Sequence, residues 1–149
     1  MKGKEGAIAL ILALAAAAPA MASQARASFT VSVVVPARVT LTALDEPSAL
    51  EVSAADVERG YAEVARTYRV SHNDRRGYLL SFSPRHGLTR EIEVQGLATV
   101  LVMGDEPVEL VQPGPPGSHQ LALAFRFALD PAVVPGRYPL PVLVSAQPL

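Results

Sequence analysis

Hydrophobic and polar side chains alternate with a period close to two along most of the chain beyond residue 27. In the clearest run, 121–129, apolar side chains at the odd positions alternate with alanine or arginine at the even ones. Because successive side chains of a β-strand point to opposite faces, such a run predicts a strand with one face in a core. Other strands are predicted within 28–41, 50–52, 62–72, 78–82, 92–94, 98–103, 108–111 and 138–146. Seven to nine short strands separated by turn residues predict an all-β sandwich.

One short segment carries a helix-start signal. Ser53 and Asp56 have the spacing of a capping box, in which the first side chain and the third exchange hydrogen bonds with the backbone. Gly60 is a typical helix stop. We expect one or two helical turns here, or a polar connection between strands.

Residues 73–77, Asn-Asp-Arg-Arg-Gly, form the strongest turn signal in the chain. They predict a hairpin that joins the runs 62–72 and 78–82 through a five-residue loop. Loops are commonly polar for solvation alone, but concentrated charge at a tip also suits contact with an acidic partner. The candidate contact residues are Asp74, Arg75 and Arg76.

The N-terminus has the three parts of a secretory signal peptide. Lys2 and Lys4 give a basic start, Ala7–Ala18 is an uninterrupted apolar run, and small residues follow. The run is too short for a transmembrane anchor, which needs about 20 apolar residues. Signal peptidase requires small side chains, which places cleavage after Ala22 or Ala25.

A cleaved signal implies export across a bacterial inner membrane. We therefore expect the mature protein in the periplasm, secreted, or on the cell surface, with residues 1–25 as the signal and 26–149 as one domain. About 124 residues suffice for one core, because domains of this size bury roughly two thirds of their unfolded surface.

Charge and cysteine content narrow the function further. The chain has 13 basic and 14 acidic residues; without Lys2, Lys4 and Glu5 the mature part has 11 and 13, a formal net charge of −2. This balance gives no basic footprint for nucleic acid. The chain has no cysteine, which excludes a disulfide framework, a thiolate metal site and a cysteine nucleophile.

Catalytic chemistry is not visible in the pattern. His72, His86 and His119 lie in or beside predicted turns, and no two have the i, i+2 or i, i+4 spacing of paired metal ligands. Ser71, His72 and Asp74 are triad-type residues, but strand neighbours point to opposite faces and do not converge. We expect exposed turn histidines, no metal, no cofactor and no enzymatic activity.

The first strand run admits two interpretations. Its apolar positions lie on one face, and Pro36 interrupts it before the alternation resumes at Val39 and Leu41. The preferred interpretation is that residues 28–42 pair within their own sandwich. The alternative is that they are donated to a groove in another molecule, since strand addition uses alternate side chains and main-chain bonds. The candidate donor residues are Phe29, Val31, Val33 and Val35.

The last run, 138–146, is predicted to be an edge strand. Pro139 and Pro141 lie on the face opposite its apolar side chains and remove two backbone donors, which sheets tolerate mainly at an edge. The apolar face consists of Tyr138, Leu140, Val142 and Val144.

Both ends of the mature chain resemble a known family. Residues 27–41, ASFTVSVVVPARVTL, resemble the first strands of spore coat protein U-like secreted pilins, and residues 135–145, PGRYPLPVLVS, are similar to their final strand. The resemblance implies an incomplete immunoglobulin-like sandwich, export to the periplasm, and assembly through a chaperone and an outer-membrane usher, each subunit receiving its neighbour's N-terminal strand. The family usually carries a cysteine pair, one member near the position of Arg38; this chain carries none.

The sequence thus favours an exported structural or surface protein, pilin-like, that self-assembles or binds protein partners through strand pairing. The alternative is a monomeric periplasmic binding or accessory module that recognises a ligand or partner through its loops. The two differ in whether residues 28–42 are available to a second molecule.

Overall fold

The computed structural model describes residues 28–45, 49–85 and 87–149. The predicted signal peptide lies outside these residues, as does His86. Residues 1–34 and 35–149 form two separate units. Of the first unit the structure describes residues 28–34, which form no strand and are exposed.

The second unit is all-β, with antiparallel strands and one short helix among the described residues. Ten strands are described, against the seven to nine predicted. In chain order they are β1 Val39–Ala43, β2 Ala49–Val52, β3 Tyr61–His72, β4 Tyr78–Pro84, β5 Thr89–Gln95, β6 Leu101–Met103, β7 Val108–Gln112, β8 Gly117–Leu129, β9 Gly136–Pro139 and β10 Val142–Pro148. The helix α1, Ala54–Arg59, lies between β2 and β3.

The largest sheet has five strands in the order β1-β3-β8-β5-β6. Its centre is β8, the strand with the cleanest alternation, which pairs with β3 along Tyr61–His72 and with β5 on its other side. The inward side chains of β8 from Leu123 to Leu129 are almost completely buried, and the rings of Phe125 and Phe127 stack. The alternation of 121–129 therefore marks the middle of the core, as predicted.

Two smaller sheets complete the unit. One has the order β10-β4-β7, and the other pairs β2 with β9. Leu80 and Phe82 of β4 are fully buried in the same hydrophobic cluster as Phe125 and Phe127 of β8. One core is thus shared by the side chains of the five-stranded and three-stranded sheets.

The capping-box prediction is confirmed. The Ser53 hydroxyl accepts from the backbone N–H of Asp56, and the Asp56 carboxylate accepts from the backbone N–H of Ser53. Gly60 ends the helix in the left-handed conformation. Among the described residues, no helix has the length and apolar character needed to cross a membrane.

The predicted hairpin at residues 73–77 is wrong. The turn exists, but β3 pairs with β1 and β8, while β4 pairs with β10 and β7. The turn therefore carries the chain from one sheet to another. Local turn residues specify a reversal of direction; which strand lies beside which is decided by the competition among all strands for backbone partners.

The predicted single strand 138–146 is also wrong. Tyr138 belongs to β9, which pairs with β2, whereas Val142 and Val144 belong to β10, which pairs with β4. The break falls at Leu140–Pro141. Two prolines within three residues leave too few N–H donors for one continuous ladder, so the chain changes sheets there.

The predicted strand at 28–35 is not formed. Residues 28–38 have no strand pairing and are exposed, and β1 begins only at Val39. The preferred interpretation, pairing of 28–42 within one sandwich, therefore holds for 39–42 alone. Alternation selects a face, but a strand also needs a neighbour that supplies N–H and C=O partners.

Gly96, which follows β5, gives a test of this packing. Its φ is +97°, and a Cβ added there would collide with the carbonyl oxygen of Ala122 on β8. We expect Gly96→Ala to lower the free energy of unfolding by about 2 kcal/mol or more, because it adds backbone strain and a steric clash. The matched control is Gly104→Ala, whose Cβ meets nothing within 4 Å. Equal denaturation midpoints for the two variants would contradict the packing described.

Candidate functional site: a groove between two sheet edges

A concave feature of residues 35–149 lies between β1 and β10. β1 is the outer strand of the five-stranded sheet and β10 the outer strand of the three-stranded sheet. The two strands approach each other, but among the described strands each has a backbone partner on one side only. A sheet edge of this kind presents unpaired N–H and C=O groups that favour pairing with a further strand.

The groove between these edges has a volume of about 620 Å³. We call it the β1–β10 groove. Its lining comprises Leu41, Ala43, Asp45, Arg66, Tyr68, Arg85, Arg137, Leu140, Val142, Leu143 and Val144. Apolar or aromatic side chains from β1, β3 and β10 therefore line the groove. Three arginines and one acidic residue also belong to its lining.

Arg66 is the unusual member of this lining. It lies on the inner face of β3, where its neighbours in the alternation, Val64 and Tyr68, are apolar or aromatic. Its side chain is 5 % exposed, and Nη1 donates to the carbonyl oxygen of Asp45 at 3.2 Å. Nε and Nη2 are buried without a hydrogen-bond partner. Buried donors left unpaired cost free energy, and a charged group costs more than a neutral one.

Hydrogen bonds and charges of neighbouring residues define the structure and the electrostatics of the groove around Arg66. The Asp45 carboxylate accepts from the backbone N–H of Thr67 at 2.5 Å, which ties the end of β1 to β3. Burial raises the pKa of the Tyr68 phenol above its usual range. Arg85 and Arg137 are exposed. The excess of guanidinium over carboxylate makes this end of the groove positive.

Asn73 determines where β1 begins. Its side-chain oxygen accepts from the backbone N–H of Arg38 at 2.6 Å, and its side-chain amide donates to the carbonyl oxygen of Pro36 at 2.9 Å. Its own backbone N–H donates to the carbonyl oxygen of Arg38 at 3.2 Å. The turn after β3 thus holds residues 36–38 and leaves the segment before them outside the ladder.

The candidate donor side chains are all well exposed. The exposed fractions of Phe29, Val31, Val33 and Val35 range from 72 % to 89 %. Four large apolar side chains at alternate positions of one short segment are an uncommon surface feature, because solvent contact with them is unfavourable.

Two of the charged side chains in the turn at 73–77 form an ion pair with each other. The Arg76 guanidinium donates to both carboxylate oxygens of Asp74 and to the backbone carbonyl oxygen of Leu149. These contacts lower the pKa of Asp74 to about 2. Arg75 is exposed. Two of the three candidate contact residues are therefore paired with each other, and Arg76 also holds the turn to Leu149.

The prediction that the histidines are exposed in turns is correct for one of the two described histidines and wrong for the other. His119 is exposed, but His72 is 6 % exposed and lies at the inner end of β3. The prediction of an exposed turn histidine at 72 is wrong because the strand continues through that position with its even-numbered residues inward. Within the described ranges, no group of three or more His, Asp or Glu side chains has the geometry of a metal site.

The sequence marks Arg66 as an exception to the apolar pattern of its strand, but it does not show whether the side chain is buried. Arg66 and His72 stand as polar residues on an otherwise apolar strand face. Such exceptions mark either a strand end or a functional position, and the choice depends on what lies opposite them. Comparison of the chain with known protein families, with curated proteins and with solved structures finds no match.

Arg66→Met tests whether the buried guanidinium is uncompensated. Methionine fills a similar volume without unpaired donors, so we expect the free energy of unfolding of the chain without residues 26–35 to rise by about 1–3 kcal/mol. The measurement is equilibrium unfolding in urea. The control Arg85→Met removes an exposed guanidinium and should change it by less than about 0.5 kcal/mol. A clear loss of stability in Arg66→Met would show that Arg66 is internally paired.

The ion pair of the turn predicts a dependence on pH. The pKa of folded Asp74 is about 2, below the ordinary value of 3.8. Its contribution to stability is therefore present above pH 4 and is lost as the pH falls towards 2. Asp74→Asn keeps the shape but not the charge. We expect the difference in denaturation midpoint between wild type and Asp74→Asn to shrink from pH 6 to pH 2.5. A constant difference over this range would contradict the assignment.

Proposed function

We propose that this protein is an exported, non-catalytic structural protein, a pilus- or fimbria-like subunit, whose copies assemble by strand pairing. The observation that carries the proposal is the β1–β10 groove: two sheet edges, each with a backbone partner on one side only among the described strands, flank a cleft whose lining mixes apolar side chains with three arginines. The occupant we propose is the segment 28–35 of a second copy.

The proposed donor segment suits this groove in pattern and length. Its four candidate donor side chains alternate with Ser28, Thr30, Ser32 and Val34, so an extended backbone turns the more apolar of its two faces to the cleft. At about 3.3 Å per residue, eight residues span about 26 Å and the seven residues of β10 about 23 Å. Burial of these side chains in a second molecule would remove them from water.

Arg66 supports an extended backbone as the occupant. Arg66 lines the groove, and its Nε and Nη2 are buried without a hydrogen-bond partner. Segment 28–35 carries no acidic side chain, but its backbone carbonyl oxygens are acceptors. An added strand would bring such acceptors to the groove and offset the cost of the buried guanidinium.

The same proposal includes export from the cytoplasm and an immunoglobulin-like fold. The N-terminal signal pattern supports export, and the terminal segments resemble secreted pilins. An immunoglobulin-like sandwich that lacks one strand would account for the two open edges. A periplasmic chaperone and an outer-membrane usher are then the expected partners, because an open groove needs protection before assembly.

Peptide binding tests strand donation directly. We would delete residues 26–35 and titrate the shortened chain into a fluorescent peptide of residues 26–36, following anisotropy. We expect saturable binding of one peptide per chain. The peptide with Val33→Asp should bind at least tenfold more weakly, because a carboxylate would replace an apolar side chain on the face that packs on the apolar lining residues. The peptide with Ser32→Asp is the matched control, since its new charge lies on the outer face.

Assembly of the intact chain gives the second readout. Sedimentation should show oligomers for the chain that carries residues 26–35 and a monomer for the deleted one. Strand donation is wrong if the intact protein is monomeric at every concentration or if the deletion leaves the oligomers unchanged. Equal affinities of the Val33→Asp and Ser32→Asp peptides would exclude the proposed face.

A second candidate function is favoured by the positive end of the groove. Arg66, Arg85 and Arg137 face it, whereas its one lining carboxylate, Asp45, already accepts from the backbone. A monomeric binding module would use this end for an acidic segment of another protein. Arg85→Gln with Arg137→Gln should then abolish salt-sensitive binding of an acidic peptide. On the strand-donation proposal, the same double variant leaves the affinity for peptide 26–36 nearly unchanged.

A further inference from the structure

Three aromatic side chains from separate strands meet at the end of the core near the turn 73–77. They are His72 of β3, Tyr78 of β4 and His119 of β8. The ring centres lie 5.1 Å apart for His72 and Tyr78, 6.0 Å for the two histidines, and 5.8 Å for Tyr78 and His119. The cluster therefore joins both large sheets, and it is separate from the residues that line the β1–β10 groove.

The tautomer of His72 is determined by a backbone acceptor. Its Nδ1 lies 3.0 Å from the carbonyl oxygen of Asp74, and a carbonyl oxygen accepts only, so Nδ1 carries the proton and donates. Neutral Nε2 then has a free lone pair, and this atom is buried without a partner. A histidine held by Nδ1–H to a backbone carbonyl is the arrangement that orients metal-binding imidazoles.

The other two members supply further donor atoms nearby. The Tyr78 hydroxyl lies 3.2 Å from Nε2 of His119. Tyr78 is 2 % exposed. A metal with two imidazole nitrogens at about 2.1 Å holds their ring centres about 5–6 Å apart, which is the separation found here.

We propose that His72, His119 and Tyr78 form a binding site for a divalent first-row transition metal, with Cu²⁺ the preferred ion. The ligands are Nε2 of each histidine and the phenol oxygen, whose proton passes to solvent when the metal binds. Two imidazoles and one oxygen suit Cu²⁺, which also binds most tightly in the divalent series. This site does not depend on strand donation.

Access to the site is open on one side. His119 is exposed, and it lines a hollow of about 350 Å³ formed by the Pro- and Gly-rich residues 113–119. Gly77 packs so closely on Gln112 that no side chain fits between the turn and this loop. The ligands from β3 and β4 are thus held by a tight turn, while a metal reaches them through the loop side.

Titration with Cu²⁺ and with Zn²⁺, followed by calorimetry, tests the proposal on protein purified without a histidine tag. We expect one Cu²⁺ per chain, bound more tightly than Zn²⁺, and a higher Tm with the metal present. His119→Ala removes an exposed ligand and should weaken binding at least tenfold. The control His86→Ala removes the remaining histidine and should leave the affinity unchanged. Circular dichroism checks that each variant is folded.

Tyr78→Phe separates the role of the phenol from that of the histidines. The copper protein should show a visible phenolate-to-copper charge-transfer band, and Tyr78→Phe should lose it while one Cu²⁺ still binds. The proposal is overturned if no stoichiometric binding occurs, if folded His119→Ala binds as tightly as wild type, or if His86→Ala is the variant that loses the metal. It is overturned for Tyr78 alone if the band persists in Tyr78→Phe.

Discussion

An interior strand of a sheet has two neighbours for its backbone, and at β1 and β10 the described chain provides only one each. Water can hydrogen-bond to the exposed N–H and C=O groups of such an edge. The edge nevertheless favours pairing with a strand of another molecule. Here the two open edges flank the same groove.

The core explains why the unit can tolerate open edges. β8 pairs with β3 and β5 along most of its length, and its inner side chains pack with those of β4 in the facing sheet. Phe82, Phe125 and Phe127 are each at most 1 % exposed. Because burial of large apolar side chains is the main source of stability in a domain without cysteine, the centre of the unit is stable although two sheet edges are unpaired.

Three polar residues are buried among the described ones, Arg66, His72 and Ser81. Arg66, in the middle of β3, has unpartnered N–H donors beside the groove, and His72, at the C-terminal end of β3, has an unpartnered ring nitrogen. The first needs an acceptor and the second needs a proton donor or a metal. Apolar residues at both positions would leave no unpaired donor or acceptor there.

The sequence by itself determined the all-β class, the alternation of β3 and β8, the capping box at Ser53 and the buried side chains of the core. Each of these depends on residues close together in the chain, where periodicity and side-chain chemistry act directly. Only the tertiary structure decided that the turn 73–77 joins two sheets, that 138–146 divides between β9 and β10, and that residues 28–38 form no strand. It also brought His72, Tyr78 and His119 together. Strand neighbours compete for the same backbone groups over the whole chain, and no local pattern records which pair wins.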